Sequence, residues 1–151
     1  MKVLKSLSEL PDLVGQEFGP SEWVTIDQKR IQLFADATGD HQWIHVDEER
    51  AKREMPEGKT IAHGLLTLSL LPGLTMGFFK VEGATRIFNY GANRIRFMDM
   101  VPSGSRVRAR QKIIKVLPFR TSGFFITSEM SVEIEGQEKP ALVAESIALI
   151  T

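Results

Sequence analysis

The chain has 151 residues, 42% hydrophobic and 25% charged, a balance suited to one packed globular domain spanning 1–151. Its 19 Lys and Arg offset 19 Asp and Glu, so the zero formal charge argues against a general nucleic-acid binder. With no cysteine, disulfide scaffolds, thiolate metal sites and thiol nucleophiles are excluded.

The opening Met1-Lys-Val-Leu-Lys-Ser lacks the apolar run of a signal peptide, so a cytoplasmic soluble protein is expected. Residues 6–19 predict a short helix or turn leading into a strand near Ser21–Val24. Thr25 and Gln28 read as a capping box that opens a helix burying Ile26, Ile31, Phe34 and Ala35. Gly39 fits the left-handed position that ends it. Residues 40–45 read as loop, followed by a charged helix over Asp47–Glu54. Residues 60–77 predict a second helix with Leu65, Leu66, Leu68, Leu70, Leu71 and Leu74 on nearly every side, so it must be buried all round. Pro72-Gly73 should kink it or end its regular part. His63, Pro72 and two further glycines interrupt the run, which reads as a core helix and not a membrane span.

From Thr85 the period becomes two. Ile95 and Phe97 alternate with Arg94 and Arg96. Val107, Ala109 and Ile113 alternate with Arg106, Arg108, Arg110 and Lys112. Phe124, Ile126, Met130, Val132 and Ile134 alternate with Thr127, Glu129, Glu133 and Glu135. Leu142 to Ile150 reads as a last, mostly apolar strand, and Pro102-Ser-Gly104 and Glu135-Gly-Gln-Glu as turns. Helices early and an antiparallel meander late make an α+β class. One apolar central helix wrapped by a curved antiparallel sheet satisfies both patterns.

The densest chemistry lies in Phe34-Ala-Asp-Ala-Thr-Gly-Asp40-His-Gln-Trp-Ile-His45 and in Ile61-Ala-His-Gly64. Residues five apart on a helix point about 140° apart, so Asp40 and His45 converge only if the backbone between them is not helical. Gly39 supplies the break. A carboxylate and an imidazole can hold one water, take its proton and return one to a neighbouring carbon. Gly64, where the central helix should begin, offers an N–H without an intrahelical partner at the positive end of the helix dipole. A thioester carbonyl aimed there would be polarised and its enolate stabilised. Together these groups can add water across a double bond conjugated to a carbonyl, or remove it.

The pattern Phe34-x-x-x-Thr-Gly39-Asp40-x-x-x-x-His45-x-x-x-x-x-Ala51, with Ala62-His63-Gly64, resembles the signature of the MaoC-like (R)-specific enoyl-CoA hydratases, which have the hotdog fold. Asp40-His-Gln-Trp-Ile-His45 and Asn89-Tyr-Gly-Ala-Asn-Arg-Ile-Arg-Phe97 look closer to its nodulation-protein-N-like branch. The resemblance runs from about Gly15 to the end. It implies that Asp40 and His45 activate water and that Gly64 is the oxyanion donor. The family's usual Asn-Pro between Asp and His is Gln42-Trp43 here. The resemblance further implies an acyl-CoA or carrier-protein thioester substrate, a homodimer joined edge to edge, (R) stereochemistry, and no metal or redox cofactor.

Gln42, Trp43, His63, Ser69, Asn89, Tyr90, Asn93 and Arg94 complete the expected substrate-binding set. His63 also reads as a structural residue beside the helix start, and Ser69 either faces an acyl tunnel or bonds back to a carbonyl. Asn89, Tyr90 and Asn93 interrupt an apolar strand and line a pocket or find structural partners. His41 and His45 are four apart, but residues 40–45 read as loop, so no histidine pair has the helical i,i+4 placement of a metal site. The row Arg106, Arg108, Arg110, Lys112 faces Glu129, Glu133 and Glu135, and cross-strand pairing explains it better than CoA phosphates do. Two other functions remain in view: a hotdog thioesterase, disfavoured because Ile61 to Phe79 has no acid or amide side chain, and a non-catalytic acyl-thioester binding module.

Overall fold

Alternating apolar residues past residue 85 bury one face of a curved antiparallel sheet, and the short helices that precede it fill the concave side. The computed structural model describes residues 1–151. In chain order the elements are β1 (Lys2–Leu4), a 3₁₀ segment (Leu7–Leu13), β2 (Glu17–Phe18), β3 (Val24–Ile26), α1 (Gln28–Thr38), α2 (Trp43–Val46), α3 (Glu48–Glu54), α4 (Gly64–Ser69), α5 (Leu71–Thr75), β4 (Phe79–Val81), β5 (Ile87–Phe97), β6 (Ser105–Phe119), β7 (Gly123–Ile134) and β8 (Leu142–Ile150). The main sheet has six strands in the order β2-β6-β7-β8-β5, with β3 also on β6. Val107, Ala109, Met130, Val132, Ile134, Leu142 and Ala144 point inward onto Leu66, Leu71 and Leu74 of α4 and α5. A smaller cluster at the other end packs Leu4, Leu10 and Leu13 on Ile113, Ile126 and Ile150. The outward positions of β6 and β7 carry the charges. Register places Arg108 opposite Glu133, and Arg106–Glu135 (2.8 Å), Arg108–Glu133 (2.5 Å) and Arg110–Glu133 (2.6 Å) are ion pairs. The arginine row is therefore a paired surface, as its spacing predicts.

Five features depart from expectation. The cap of α1 is Asp27, whose side chain accepts from Arg30 N–H at 2.8 Å; Thr25 instead pairs with Arg106 in β3. The ladder runs through Ile26, so Asp27 is the first residue free to cap. Within 40–45, the single turn α2 begins at Trp43 and carries His45. The expected helix over 60–77 is shorter: Ala62 N–H donates to Val101 O at 2.8 Å and Ile61 bridges Pro102, so 60–63 are extended and α4 starts at Gly64. Pro72 falls in the first turn of α5, where an N–H would lack a partner anyway. Nor is the helix buried all round, because Leu65 is 57% and Met76 75% exposed. Finally, Phe79–Val81 forms a strand parallel to β1, too short for any period to reveal.

β5 ends the main sheet. It pairs with β8 on one side only, is exposed over nearly all its length, and presents Ile87, Phe88, Tyr90 and Phe97 to the surroundings.

Candidate active site

Gly39 takes φ 79°, ending α1 in the left-handed conformation that glycine adopts without steric cost. The chain turns out of the helix, so Asp40 and His45 project from a non-helical bend and one new turn. An oxygen of Asp40 and a ring nitrogen each of His45 and His63 lie within 4.8 Å of one another. Asp40 is exposed, while His45 (7%) and His63 (3%) are buried.

The hydrogen bonds identify the tautomers. His45 Nδ1 lies 2.7 Å from Ile61 O, and a carbonyl only accepts, so Nδ1 carries the proton and Nε2 keeps a lone pair. His63 Nε2 lies 3.0 Å from Asp40 O and donates there, tying the backbone of the Asp40 turn to the start of α4. His63 Nδ1 is buried without a partner. The two imidazoles stack at 3.8 Å with 24° between planes, and Phe34 packs against His63 at 5.0 Å. Burial pushes the His45 pKa below its usual value; the bond to Ile61 O opposes this, the neighbouring His63 adds to it, and Asp40 opposes it weakly. The lowered pKa favours the neutral imidazole.

His45 and Gly64 line one pocket of about 320 Å³ together with Ile61, Ala62, Thr67 and Phe97. Gly64 is the first residue of α4, and its N–H donates to no acceptor in the chain. A side chain there would also collide with Phe97, whose ring atoms lie 2.7 Å from the position of a Cβ. Gly64 thus has a packing reason beside its exposed donor. A second, separate cavity of about 720 Å³ lies between Leu68, Ser69, Leu71, Met76 and the inner face of the sheet.

The other anticipated residues divide. Ser69 lines the second cavity and donates back to Leu65 O at 2.7 Å. Asn89 also lines that cavity. His63 reaches Asp40 and His45, as above. Gln42 caps α2 and is exposed, and Trp43 packs under the Arg50 guanidinium at 4.0 Å. Tyr90 packs against Phe125 at 4.7 Å with the rings tilted by 60°, Asn93 donates to Glu145 at 2.9 Å, and Arg94 borders a surface depression with Arg110 and Glu145. Gln42, Trp43, Tyr90, Asn93 and Arg94 thus stand outside the His45–Gly64 pocket within the subunit. Sequence reasoning missed the Ile61 carbonyl, which has no side-chain signal. It also missed Phe97, although the residue closes the motif Asn89–Phe97.

A family model described as MaoC-like domain matches residues 9–132. The chain is 49% identical over 147 residues to 3-hydroxyacyl-thioester dehydratase Z of Mycobacterium tuberculosis, covering 97% of each chain. It is 50% identical over 147 residues to nodulation protein N of Rhizobium leguminosarum bv. viciae, covering 96% of this chain and 91% of that one. The fold matches the (R)-hydratase from A. caviae involved in PHA biosynthesis with a TM-score of 0.67 at 22% identity, over 89% of this chain and 94% of that chain. The sheet wrapped on α4 and α5 is thus a hotdog fold.

Proposed function

The chain belongs to the MaoC-like dehydratase family, and from that premise we propose that it interconverts trans-2-enoyl and (R)-3-hydroxyacyl thioesters, with Asp40 and His45 acting on one water and Gly64 N–H receiving the thioester oxygen. One observation carries this reading: His45, with an imidazole nitrogen left without a partner, and Gly64, with an unpaired backbone N–H, line one pocket, and the Asp40 carboxylate, outside that lining, lies within 4.8 Å of a His45 ring nitrogen. In hydration the water oxygen bonds to C3, the C2–C3 π electrons move toward the carbonyl, and a proton is delivered to C2. Asp40 and His45 share these proton transfers, and the enolate oxygen that forms between them is held by Gly64 N–H. Dehydration retraces the steps.

Thioesters of CoA or of a carrier protein fit the two cavities, with the carbonyl near Gly64 and the acyl chain running along α4 toward Ser69 and Asn89. The reading includes a cytoplasmic homodimer. Its support is the long exposed edge of β5, since an unpaired apolar edge strand is a ready template for a second copy. No helix here is long and apolar enough to cross a membrane.

The test is the ultraviolet absorbance of the conjugated thioester. Crotonyl-CoA absorbance falls with wild type and stays constant with folded Asp40→Asn and His45→Ala proteins. Release of free CoA thiol without hydration would replace the reading with a thioesterase, and no reaction of either kind would favour a binding module.

A further inference from the structure

The turn that carries His45 does not hold itself. α2 is only four residues long, far below the length at which a helix is stable alone, and the carbonyls at its end have no intrahelical partner. The His45 carbonyl is nevertheless satisfied, because Gln28 Nε2 donates to it at 2.8 Å. The other end of the same amide accepts a hydrogen bond from Thr60 Oγ1. Thr60 is 2% exposed, and its neighbour Ile61 supplies the carbonyl that orients the His45 ring. Ile61 N–H in turn donates to Ile44 O at 3.0 Å. One amide from the start of α1 therefore bridges the segment bearing the base and the segment leading to Gly64. An amide suits this position because one end must donate and the other accept. A carboxylate offers no donor to a carbonyl, and Asn is one methylene shorter.

Building on the assignment of His45 as a catalytic base, we infer that Gln28 and Thr60 are positioning residues for the reaction. They fix the His45 main chain relative to Ile61 and Gly64, so that Nε2 faces the substrate held at the Gly64 donor. Gln28 and Thr60 do not line the pocket that holds His45 and Gly64, so their loss acts on the rate and not on binding.

The experiment is crotonyl-CoA hydration by Gln28→Leu, Thr60→Val, Thr60→Ser and the double variant Gln28→Leu/Thr60→Val, beside His45→Ala, with melting temperatures recorded for each. Gln28→Leu and Thr60→Val should each lower kcat about 10–100-fold, the range for a displaced catalytic group, with KM little changed. Thr60→Ser, which keeps the hydroxyl, should restore most of the rate lost in Thr60→Val. The double variant should lose little more than the worse single variant, because the two residues act through one amide. Wild-type kcat in Gln28→Leu and Thr60→Val, with His45→Ala inactive, overturns the inference and leaves the hydratase reading standing. Equal losses in Thr60→Val and Thr60→Ser that track melting temperature overturn it too. Hydration by His45→Ala would remove the underlying reading, and this inference with it.

Discussion

Two parts of this molecule gather ionisable side chains, and they use them in opposite ways. On the outer face of β6 and β7, Arg106, Arg108 and Arg110 meet Glu133 and Glu135 in register, and each arginine has an acceptor. Burial alone would raise the Glu133 carboxyl, but hydrogen bonds from Arg110 and Arg108 outweigh it and hold the pKa below the usual carboxylate range. Around His45 the hydrogen bonds go to main-chain carbonyls, and they leave His45 Nε2 and Gly64 N–H open toward a shared pocket. Charge density marks the first region more strongly, yet its groups neutralise one another. Reactivity is read from donors and acceptors that remain free after the structure has satisfied the rest.

The comparison breaks most readily at His45 and Asp40. His45→Ala or Asp40→Asn should lower kcat about 10²–10⁴-fold, the range for removing a general acid or base, with the fold retained by circular dichroism. Comparable loss from Glu133→Gln would erase the distinction between the regions.

Gly64→Ala is expected to be the next largest effect. Its Cβ would meet the Phe97 ring at 2.7 Å, costing about 1–3 kcal/mol of stability through overpacking. Calorimetry on Gly64→Ala with and without Phe97→Leu checks this. The smaller residue should recover the stability, and activity should return only so far as the N–H still reaches the carbonyl.

pH sharpens the contrast further. Burial lowers the His45 pKa, so the acid limb of kcat/KM should lie below the usual histidine value, with the rate rising as pH climbs through it. The same shift means that the unfolded chain binds the proton more readily. His45 therefore makes the fold less stable as pH falls from the unfolded value toward the folded one, measurable as a falling melting temperature. Glu133 has its folded pKa below the unfolded value, and its contribution is present above the unfolded carboxylate pKa and lost at more acidic pH. An acid limb at or above the usual histidine value would contradict the assignment of His45 as a buried neutral base.

Glu133→Gln should have the smallest effect, about 1 kcal/mol or less by denaturant titration, because the pairs lie on the outer face of the sheet, only partly withdrawn from water. Hydratase kinetics should be unchanged.

Much of this was legible in the residues themselves. Period-two alternation located β6 and β7, since a half-buried strand can satisfy water and core only by alternating, and a mostly apolar run located β8. The Gly39-Asp40 break and the spacing to His45 pointed to a convergent pair, and the Arg and Glu rows predicted their own pairing. Boundaries that depend on distant contacts were not legible. Gln28, taken for a cap partner of Thr25, reaches the His45 carbonyl 17 positions away, because β3 pairing shifts the cap to Asp27. Residues 60–63 carry a helical-looking apolar run yet lie extended, because Val101 and Pro102 capture their backbone.

Sequence alone determined which chemical groups are present and the local geometry that each short segment favours, because periodicity, caps and glycine conformations act over a few residues. Tertiary structure decided which groups stay free. The Ile61 carbonyl selects the His45 tautomer, His63 ties down the Asp40 turn, and Phe97 fills the space beside Gly64. These contacts join residues far apart in the chain, and no local preference encodes them.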